Sequence, residues 1–426
     1  MLNYEEALKI MLENIKILKE VEKPLLESAG QILAEDIYSP LDLPQWAISG
    51  PDGYAVKAAD IKEASMRDPV ILKILTTARA GRPTRCIVKP GTAIRIMTGS
   101  VIPYGADCVV RFEDTDEPDD KNGPNNNNPA HVKIYTKVNP GENIRLAGSG
   151  VMKDTLIVMK GTVIGPAQIS ALASVGITFV KVISRPVVAI ISTGDELVNP
   201  GNLLTTGKTY NGNSAALASL VSHYGGIPKI LGIARDNESD LICRFRKGMR
   251  ADAIITSGGV SKGDYDLVRL IIAKLGKVIF SRIKMGPGAP VSFGLISKSA
   301  AGNGDAAIPV FSLAGPPAGC IVNFETLVRP ALLKMRGIKD VAHPVVEATA
   351  LDSPLQKMAM AFVKYSHLEK MQGTYRVKLN LGDQLGMLAS IAAANSLTII
   401  PEGSDVKAGD MIKVLPLDWR QDQPLI

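Results

Sequence analysis

Apolar residues near the start of the chain are spaced as in a helix. Between residues 1 and 35, side chains such as Leu8, Met11 and Ile15 recur every three or four positions, with Lys and Glu between them. This spacing places the apolar side chains on one helical face. The pattern therefore predicts a helical packing segment with no chemistry of its own.

Short strand-sized runs replace this pattern from about Ser39 to Asn139. Apolar runs such as Thr92–Met97 and Cys108–Phe112 are separated by Gly and Pro, which is typical of β structure. The acidic and Asn-rich stretch Glu113–Pro129 has the composition of a solvated hairpin loop. We therefore predict a mostly β insertion here.

Strands and helices alternate in the second half of the chain. Val187–Ile191 is predicted as a buried strand that leads into Ser192–Glu196, and Ala253–Thr256 as another that leads into Ser257–Ser261. Helices are predicted after these strands, the longest over Ala318–Met335. The alternation predicts a doubly wound parallel sheet, in which ligands bind beyond the carboxyl ends of the strands.

The last part of the chain returns to short strands. From about Ala342 the strand-like runs are Val345–Ala348, Ala361–Val363, Tyr375–Leu379 and Leu397–Ile400. They predict a small β-barrel or sandwich. Because 426 residues exceed the size of one compact domain, the predicted fold class is a multidomain protein of α/β and β parts.

The composition excludes several kinds of metal site and cross-link. The four histidines and four cysteines are scattered, which excludes histidine-rich metal sites, zinc knuckles and a disulfide framework. Acid–base or metal chemistry then depends mostly on carboxylates. We expect four buried free thiols, as in a reducing compartment. The net charge of +6 is a weak sign of anionic ligands and does not predict nucleic-acid binding.

No apolar run approaches the 18 residues of a membrane helix, and Met1–Glu20 carries Glu5, Glu6 and Glu13 among its apolar residues. We therefore expect a cytoplasmic protein that contacts neither membrane nor nucleic acid.

Three predicted strand-to-loop junctions combine glycine with hydroxyl side chains. Glycine lets backbone N–H groups approach a phosphate closely, and Ser and Thr add further donors. A simple turn is the alternative interpretation of each junction. The candidate substrate-binding residues of these junctions are Thr98, Gly99, Ser100, Thr193, Gly194, Asp195, Ser257, Gly258, Gly259, Val260 and Ser261.

Carboxylates follow several of the predicted strands. Asp195, Glu196, Asp236 and Asp264 all fall at predicted carboxyl ends of strands in the α/β part. Together they could hold a hard cation such as Mg²⁺ or polarise a water for attack on a phosphate ester. Helix capping is the alternative for each. Asp52 lies in a different stretch, where Asp-Gly first indicates a turn.

Several segments, taken in order, resemble the MoeA family of molybdopterin molybdenumtransferases, which is related to the E domain of gephyrin. The matches are spread over about residues 1–415. The segments that carry the resemblance are Asp52–Val56, Arg95–Gly99 with Pro103 and Gly105–Asp107, Gly141–Arg145, Ser192–Leu197, Ser257–Ser261 with Gly263–Asp266, and Pro287–Gly288.

The resemblance implies a homodimer whose chains have four parts. The active site would form between the α/β part of one subunit and the β insertion of the other. The parts are a helical dimerisation domain of residues 1–40 and 140–178, a β insertion of 41–139, a MogA-like α/β molybdopterin-binding domain of 179–335, and a C-terminal β-barrel of 340–426.

The resemblance also implies a reaction. Molybdate would be inserted into adenylylated molybdopterin with release of AMP, assisted by Mg²⁺. It suggests a MogA-like adenylyltransferase or a recipient molybdoenzyme as partner. Asn213, Pro287, Gly288 and Gly315 complete the candidate substrate-binding set. The candidate catalytic residues are Asp52, Glu196, Asp236 and Asp264, of which Asp236 and Asp264 would hold the metal and Asp52 would reach across the dimer.

The chain departs from the family where substrate would bind. Gly286–Pro290 lacks both lysines of the usual Lys-Pro-Gly-Lys-Pro, Leu313–Pro317 lacks the amide of Leu-Pro-Gly-Asn-Pro, and Gly148–Gly150 replaces Gly-Glu-Asp. Two hypotheses stay open. The chain is a transferase with an altered pocket, or a paralogue that binds a pterin or nucleotide or scaffolds cofactor delivery without transferase activity. Basic residues that could substitute are Lys262, Arg282 and Lys284.

Overall fold

The chain folds into two compact units in a computed structural model that describes residues 1–117, 130–259, 267–297, 307–354, 360–381 and 386–418. The first unit comprises Met1–Glu35, Gly161–Gly165 and Phe179–Ile426, and the second comprises Asp36–Lys160 and Pro166–Thr178. Both units are therefore discontinuous in sequence. The division into four parts stays a prediction.

The helices are short, and most belong to the first unit. A π-helical turn, Phe324–Val328, joins the sixth to the seventh. In chain order the helices are α1 Tyr4–Glu13, α2 Pro166–Ser174, α3 Gly212–His223, α4 Glu238–Gly248, α5 Leu267–Leu275, α6 Pro317–Asn323, α7 Arg329–Met335 and α8 Met387–Ala393.

The strands are distributed over both units. Those before residue 160 are β1 Glu20–Pro24, β2 Ile37–Tyr38, β3 Ile48–Ser49, β4 Gly53–Val56, β5 Val70–Ala78, β6 Thr92–Ile96, β7 Cys108–Arg111, β8 His131–Ile134, β9 Ile144–Arg145 and β10 Leu156–Val158. The next are β11 Phe179–Ile183, β12 Val187–Thr193, β13 Leu197–Val198, β14 Thr209–Tyr210, β15 Ile227–Ala234, β16 Ala253–Ser257, β17 Gly276–Phe280, β18 Met285–Gly286, β19 Ser292–Ser297 and β20 Ala307–Leu313. The last are β21 Val346–Ala350, β22 Ala361–Met371, β23 Thr374–Lys378, β24 Ser396–Ile400 and β25 Met411–Pro416.

The first 35 residues are helical only at their start. Asn3 and Glu6 cap α1 reciprocally, each side chain accepting the other's backbone N–H, and the helix ends at Glu13. The helix predicted beyond it is wrong, because β1 pairs antiparallel with β11 instead. That pairing joins residues about 160 positions apart, so no local spacing could reveal it.

A six-stranded sheet in the order β15-β12-β16-β20-β19-β17 forms the centre of the first unit. The first four strands are parallel, as predicted, whereas β19 and β17 each run antiparallel to their neighbour. Successive residues face opposite sides of the sheet. Ile190 and Ile255 pack on the α3 side, and Ile191 and Ile254 on the α4 and α5 side. Burial on both faces explains the nearly continuous apolar strands.

The end of the chain forms a closed barrel. The long strand β22 pairs through Ser366 and earlier residues with β24, and through His367 and later residues with β23. Because β23, β21, β25 and β24 also pair in that order, the sheet closes on itself. Of the two predicted architectures, barrel and sandwich, the barrel is the one formed. The predicted fold class of α/β and β parts is confirmed.

The second unit is mostly β, as predicted. Five strands pair in the order β7-β4-β6-β5-β8, around a core that includes the fully buried Tyr54. α2 also belongs to this unit. Most of the predicted hairpin loop, Glu113–Pro129, lies outside the described residues.

The cysteines are free but not all buried. Cys108 and Cys320 are buried, and burial raises the pKa of each thiol to about 12. Cys86 and Cys243 are exposed, so the expectation of four buried thiols is wrong for these two. No helix in the described part of the chain has the length and apolar character needed to cross a bilayer.

Candidate functional site

A cavity of about 530 Å³ lies at the carboxyl ends of the parallel strands of the first unit. β12, β15, β16 and β20 end side by side, so the residues that follow them meet at one edge of the sheet. The cavity is lined by Thr193, Gly194, Glu196, Asp236, Gly258, Gly259, Leu267, Pro290, Gly315 and Pro316.

Most of these lining residues are candidates from the sequence. Two candidate catalytic carboxylates, Glu196 and Asp236, lie in the loops that follow β12 and β15. The predicted substrate-binding residues that line the cavity are Thr193, Gly194, Gly258, Gly259 and Gly315. The structure therefore brings together acids and glycines from four separate stretches of sequence.

Asp236 is held in place by the last residue of β12 and by the loop that follows it. The Thr193 hydroxyl donates to Asp236 Oδ1 over 3.1 Å, and the Asp195 N–H donates to Asp236 Oδ2 over 3.3 Å. The Asp236 N–H in turn donates to Asp195 Oδ1 over 3.4 Å. Since an ionised carboxylate has about four lone-pair sites, each Asp236 oxygen can still accept from a further group.

Gly194 is required for the position of Glu196. Its φ of +147° lies in a region that side chains rarely adopt. A Cβ added there would also collide with the Glu196 carboxylate, which lies directly against the Gly194 backbone. The glycine thus permits Glu196 to fold back over the loop at the wall of the cavity.

The start of α3 contacts the loop that follows β20 at the cavity. The Asn213 amide, at the start of α3, donates to the Gly315 carbonyl over 2.7 Å. Ser257, by contrast, is buried at the end of β16, and its hydroxyl lies 3.4 Å from that of Ser192. Asn213 therefore supports the wall, and Ser257 contacts a neighbouring strand rather than lining the cavity.

Pro287 and Gly288 lie in the loop that reaches the cavity through Pro290. Gly288 is buried, and its carbonyl accepts a hydrogen bond from the Asn323 amide over 3.0 Å. Gly288 therefore lies behind the cavity wall, and Pro287 is not among the lining residues.

The other candidate site residues that the structure describes belong to the second unit. Asp52 Oδ1 accepts from the Thr98 N–H over 2.6 Å and from the Thr98 hydroxyl over 2.9 Å, at the exposed surface. The Gly99 N–H donates to the Ser49 carbonyl, and the buried Ser100 hydroxyl lies 3.3 Å from the Ala78 carbonyl. Asp52, which directly precedes β4, and the loop after β6 thus form one small polar cluster, and Gly53 belongs to the strand and not to a turn.

Val260, Ser261 and Asp264 lie outside the described residues, so the predicted metal pair is described only at Asp236. Among the residues described, no group of three or more His, Cys, Asp or Glu side chains is arranged to hold a metal ion.

Sequence reasoning missed two side chains that touch the residues of this site. The Lys208 ammonium, beside β14, donates to the Asp195 carbonyl over 2.6 Å. Asn323, at the end of α6, contacts the loops of Gly288 and Ala314. No motif marks either position, because both depend on contacts between distant segments. In the described part of the chain, Arg282 and Lys284 are not among the lining residues.

Two family models match the chain. Residues 2–176 match "MoeA N-terminal region (domain I and II)", and residues 189–334 match "Probable molybdopterin binding domain". The second match contains nearly all of the cavity's strands and loops.

Similar proteins cover nearly the whole chain. A molybdopterin molybdenumtransferase of Nostoc is 34% identical over 91% of this chain and 86% of its own length. Molybdopterin molybdenumtransferase 2 of Mycobacterium tuberculosis is 32% identical over 98% of this chain and 100% of its own. The crystal structure of a molybdopterin biosynthesis MoeA protein from Pyrococcus horikoshii has a TM-score of 0.80 at 31% identity, covering 98% of this chain and 99% of that chain.

Proposed function

Because this chain belongs to the MoeA family of molybdopterin molybdenumtransferases, we propose that it inserts molybdate into adenylylated molybdopterin in molybdenum cofactor biosynthesis and releases AMP. The observation that carries the proposal is the cavity within the matched molybdopterin-binding region. Glycine loops and the Glu196 and Asp236 carboxylates line it together.

The lining residues suit an anionic pterin nucleotide. Gly194, Gly258, Gly259 and Gly315 leave the backbone open to close approach, so that N–H groups can contact phosphate oxygens. The Lys208 ammonium lies beside the Asp195 segment and adds positive charge at this edge. These groups would bind and orient the substrate. The carboxylates would hold a cation that neutralises charge on the phosphates.

The residues present fit a Mg²⁺ ion. Mg²⁺ is usually held by one or two carboxylates together with waters and substrate phosphates. Asp236 meets the need for an oriented carboxylate, because Thr193 and Asp195 fix its direction and leave lone pairs unused. We propose that Asp236 and Asp264 hold the ion, which when bound would neutralise charge on the phosphates.

The assembly and surroundings are part of the proposal. A homodimer in the cytoplasm would use Asp52 across the subunit boundary, as the family resemblance implies. A MogA-like adenylyltransferase would supply the substrate, and a recipient molybdoenzyme would take the product. The hydrogen bonds from Thr98 support this role of Asp52 because they orient its carboxylate.

Turnover tests the proposal directly. Purified protein is incubated with adenylylated molybdopterin, Mg²⁺ and molybdate, and AMP release is followed together with pterin binding. AMP release that depends on molybdate is the expected result. Pterin binding without turnover would support the scaffolding paralogue instead, and the loss of both would overturn the assignment.

A further inference from the structure

A single buried amide joins two loops of the cavity. We infer that Asn323 is a positioning residue, which holds the Gly286–Pro290 loop and the Ala314–Pro316 loop in register for substrate binding. The inference rests on the proposed function for its substrate, and on the contacts of Asn323 for its geometry.

The contacts of Asn323 are complementary. Its side chain is fully buried at the end of α6. Oδ1 accepts from the Ala314 N–H over 3.2 Å, and Nδ2 donates to the Gly288 carbonyl over 3.0 Å. A primary amide offers an acceptor and a donor in one plane, so one side chain can satisfy both backbone groups. Removing it would leave two buried groups without these partners.

In both loops, residues that line the cavity lie within two positions of the residue that the Asn323 amide binds. Pro290 lies two residues after Gly288, and Gly315 and Pro316 directly follow Ala314. A shift at either hydrogen bond therefore moves the wall on which substrate would lie. Asn323 itself is not among the lining residues, so it acts through the loops.

The backbone is built to let the amide approach. Gly288 has a φ of +106°, and a Cβ there would come within 2.5 Å of Asn323 Nδ2. A Cβ at Gly319 would come within 3.2 Å of Gly288 N and Cα. Two glycines thus clear the space that the loop needs against α6, which indicates a close-packed contact and not an incidental one.

The two loops lack side chains that could bind an anionic substrate, so the position of their backbone matters more. The chain has Ala289 where the family often has lysine, and Pro316 where it has asparagine. Binding by these loops then depends on the placement of backbone groups and prolines. Backbone groups cannot adjust by rotamer changes, so their positions depend on what holds the backbone.

The chain supplies a matched control for this test. Asn395 is also fully buried, and its amide also bonds one N–H and one carbonyl, those of Leu368 in the barrel. Asn323→Ala and Asn395→Ala therefore remove the same chemistry at similar burial. Only the first is next to the cavity loops.

Steady-state AMP release separates positioning from general damage. For Asn323→Ala we expect KM for adenylylated molybdopterin to rise about tenfold or more, with kcat changed less than about threefold. Asn395→Ala should leave KM within about twofold of wild type. A lower kcat at unchanged KM in Asn323→Ala, as from a reduced folded fraction, would overturn the inference.

Asn323→Asp gives a second, independent readout. The aspartyl group keeps the acceptor for the Ala314 N–H, but it can donate to the Gly288 carbonyl only when protonated. Burial disfavours the charged carboxylate. KM of this variant should therefore approach that of wild type as the pH falls from about 8 to about 6, whereas Asn323→Ala shows no such recovery. Identical pH profiles for the two variants would contradict the role.

Hydrogen exchange distinguishes failure of the inference from failure of the proposed function. Peptides that contain residues 286–290 and 314–318 should exchange faster in Asn323→Ala, and those around Leu368 faster in Asn395→Ala. Unchanged exchange in both cavity loops would overturn the inference even if the wild type is active. A wild type that neither releases AMP nor binds pterin would overturn the function, while exchange still decides whether Asn323 holds the loops.

Discussion

At the residue scale, the site depends on carboxylates that the backbone orients. Asp236 illustrates this, because its two oxygens accept from Thr193 and Asp195 and its own N–H returns a bond to Asp195. The sequence predicted Asp236 as a strand-end acid. That the loops after β12 and β15 hold each other through it follows only from the parallel pairing of those strands.

Asp236→Asn should slow AMP release by about 100-fold or more, because the amide keeps the shape but loses the charge that binds a cation. The release rate is measured over a Mg²⁺ titration. The control is Asp252→Asn, at the opposite end of the sheet, where the carboxylate accepts from the Val187 N–H. Equal rates in the two variants would contradict the metal assignment.

Lys208→Met should raise KM for the pterin nucleotide by about fivefold and weaken its dependence on salt, because an exposed cation contributes modestly and is screened. kcat should change little. Lys229→Met, an exposed lysine in the first half of β15, serves as the control. Should KM and the salt dependence match those of the control, the loss of the family's lysines is compensated elsewhere.

At the scale of elements, the barrel supports the helix that carries Asn323. The Tyr365 hydroxyl, on β22, donates to the Ala318 carbonyl of α6 over 2.8 Å. Burial is the main cause that raises the pKa of this phenol above its ordinary value of 10.0. The phenol is therefore kept neutral in the folded chain.

That neutrality predicts a loss of stability in alkali. Below about pH 10, Tyr365 is neutral in both states and contributes no pH dependence. Above pH 10 the phenol ionises first in the unfolded chain, so the free energy of unfolding falls as the pH rises. Denaturant unfolding from pH 8 to 11 should show a shallower fall for Tyr365→Phe than for wild type. Parallel curves would contradict a raised pKa.

Elements also show where local patterns fail. α1 was predictable, because its capping box and its apolar spacing lie within one stretch of sequence. β1 was not, since it forms by pairing with β11, far along the chain. The antiparallel β19 within a mostly parallel sheet was missed for the same reason: strand direction is set by the neighbour and not by composition.

At the scale of the whole molecule, the family relationship leads to a prediction about assembly. The chain should sediment as a homodimer, with twice the mass of the 45.3 kDa monomer, at micromolar concentration. Analytical ultracentrifugation over a dilution series measures this. A monomer throughout the series would remove the basis for Asp52 acting across a subunit boundary.

The classes of structure and the kinds of chemistry could be predicted from the amino-acid sequence alone. Apolar periodicity predicted a β insertion, an α/β part and a strand-rich end. Because His and Cys are scarce, carboxylates such as Glu196 and Asp236 were the candidate catalytic groups. These features are local, or they are simple sums over the chain, so they can be obtained without coordinates.

Which of the candidate residues meet in one cavity depends on the fold. Parallel pairing of β12, β15, β16 and β20 brings their loops to one cavity, and burial turns Ser257 away from it. Asn323 acquires its role because α6 packs beneath two loops that sequence separates from each other. In each case, hydrogen bonds and close packing between distant segments depend on the folded backbone and not on neighbouring residues.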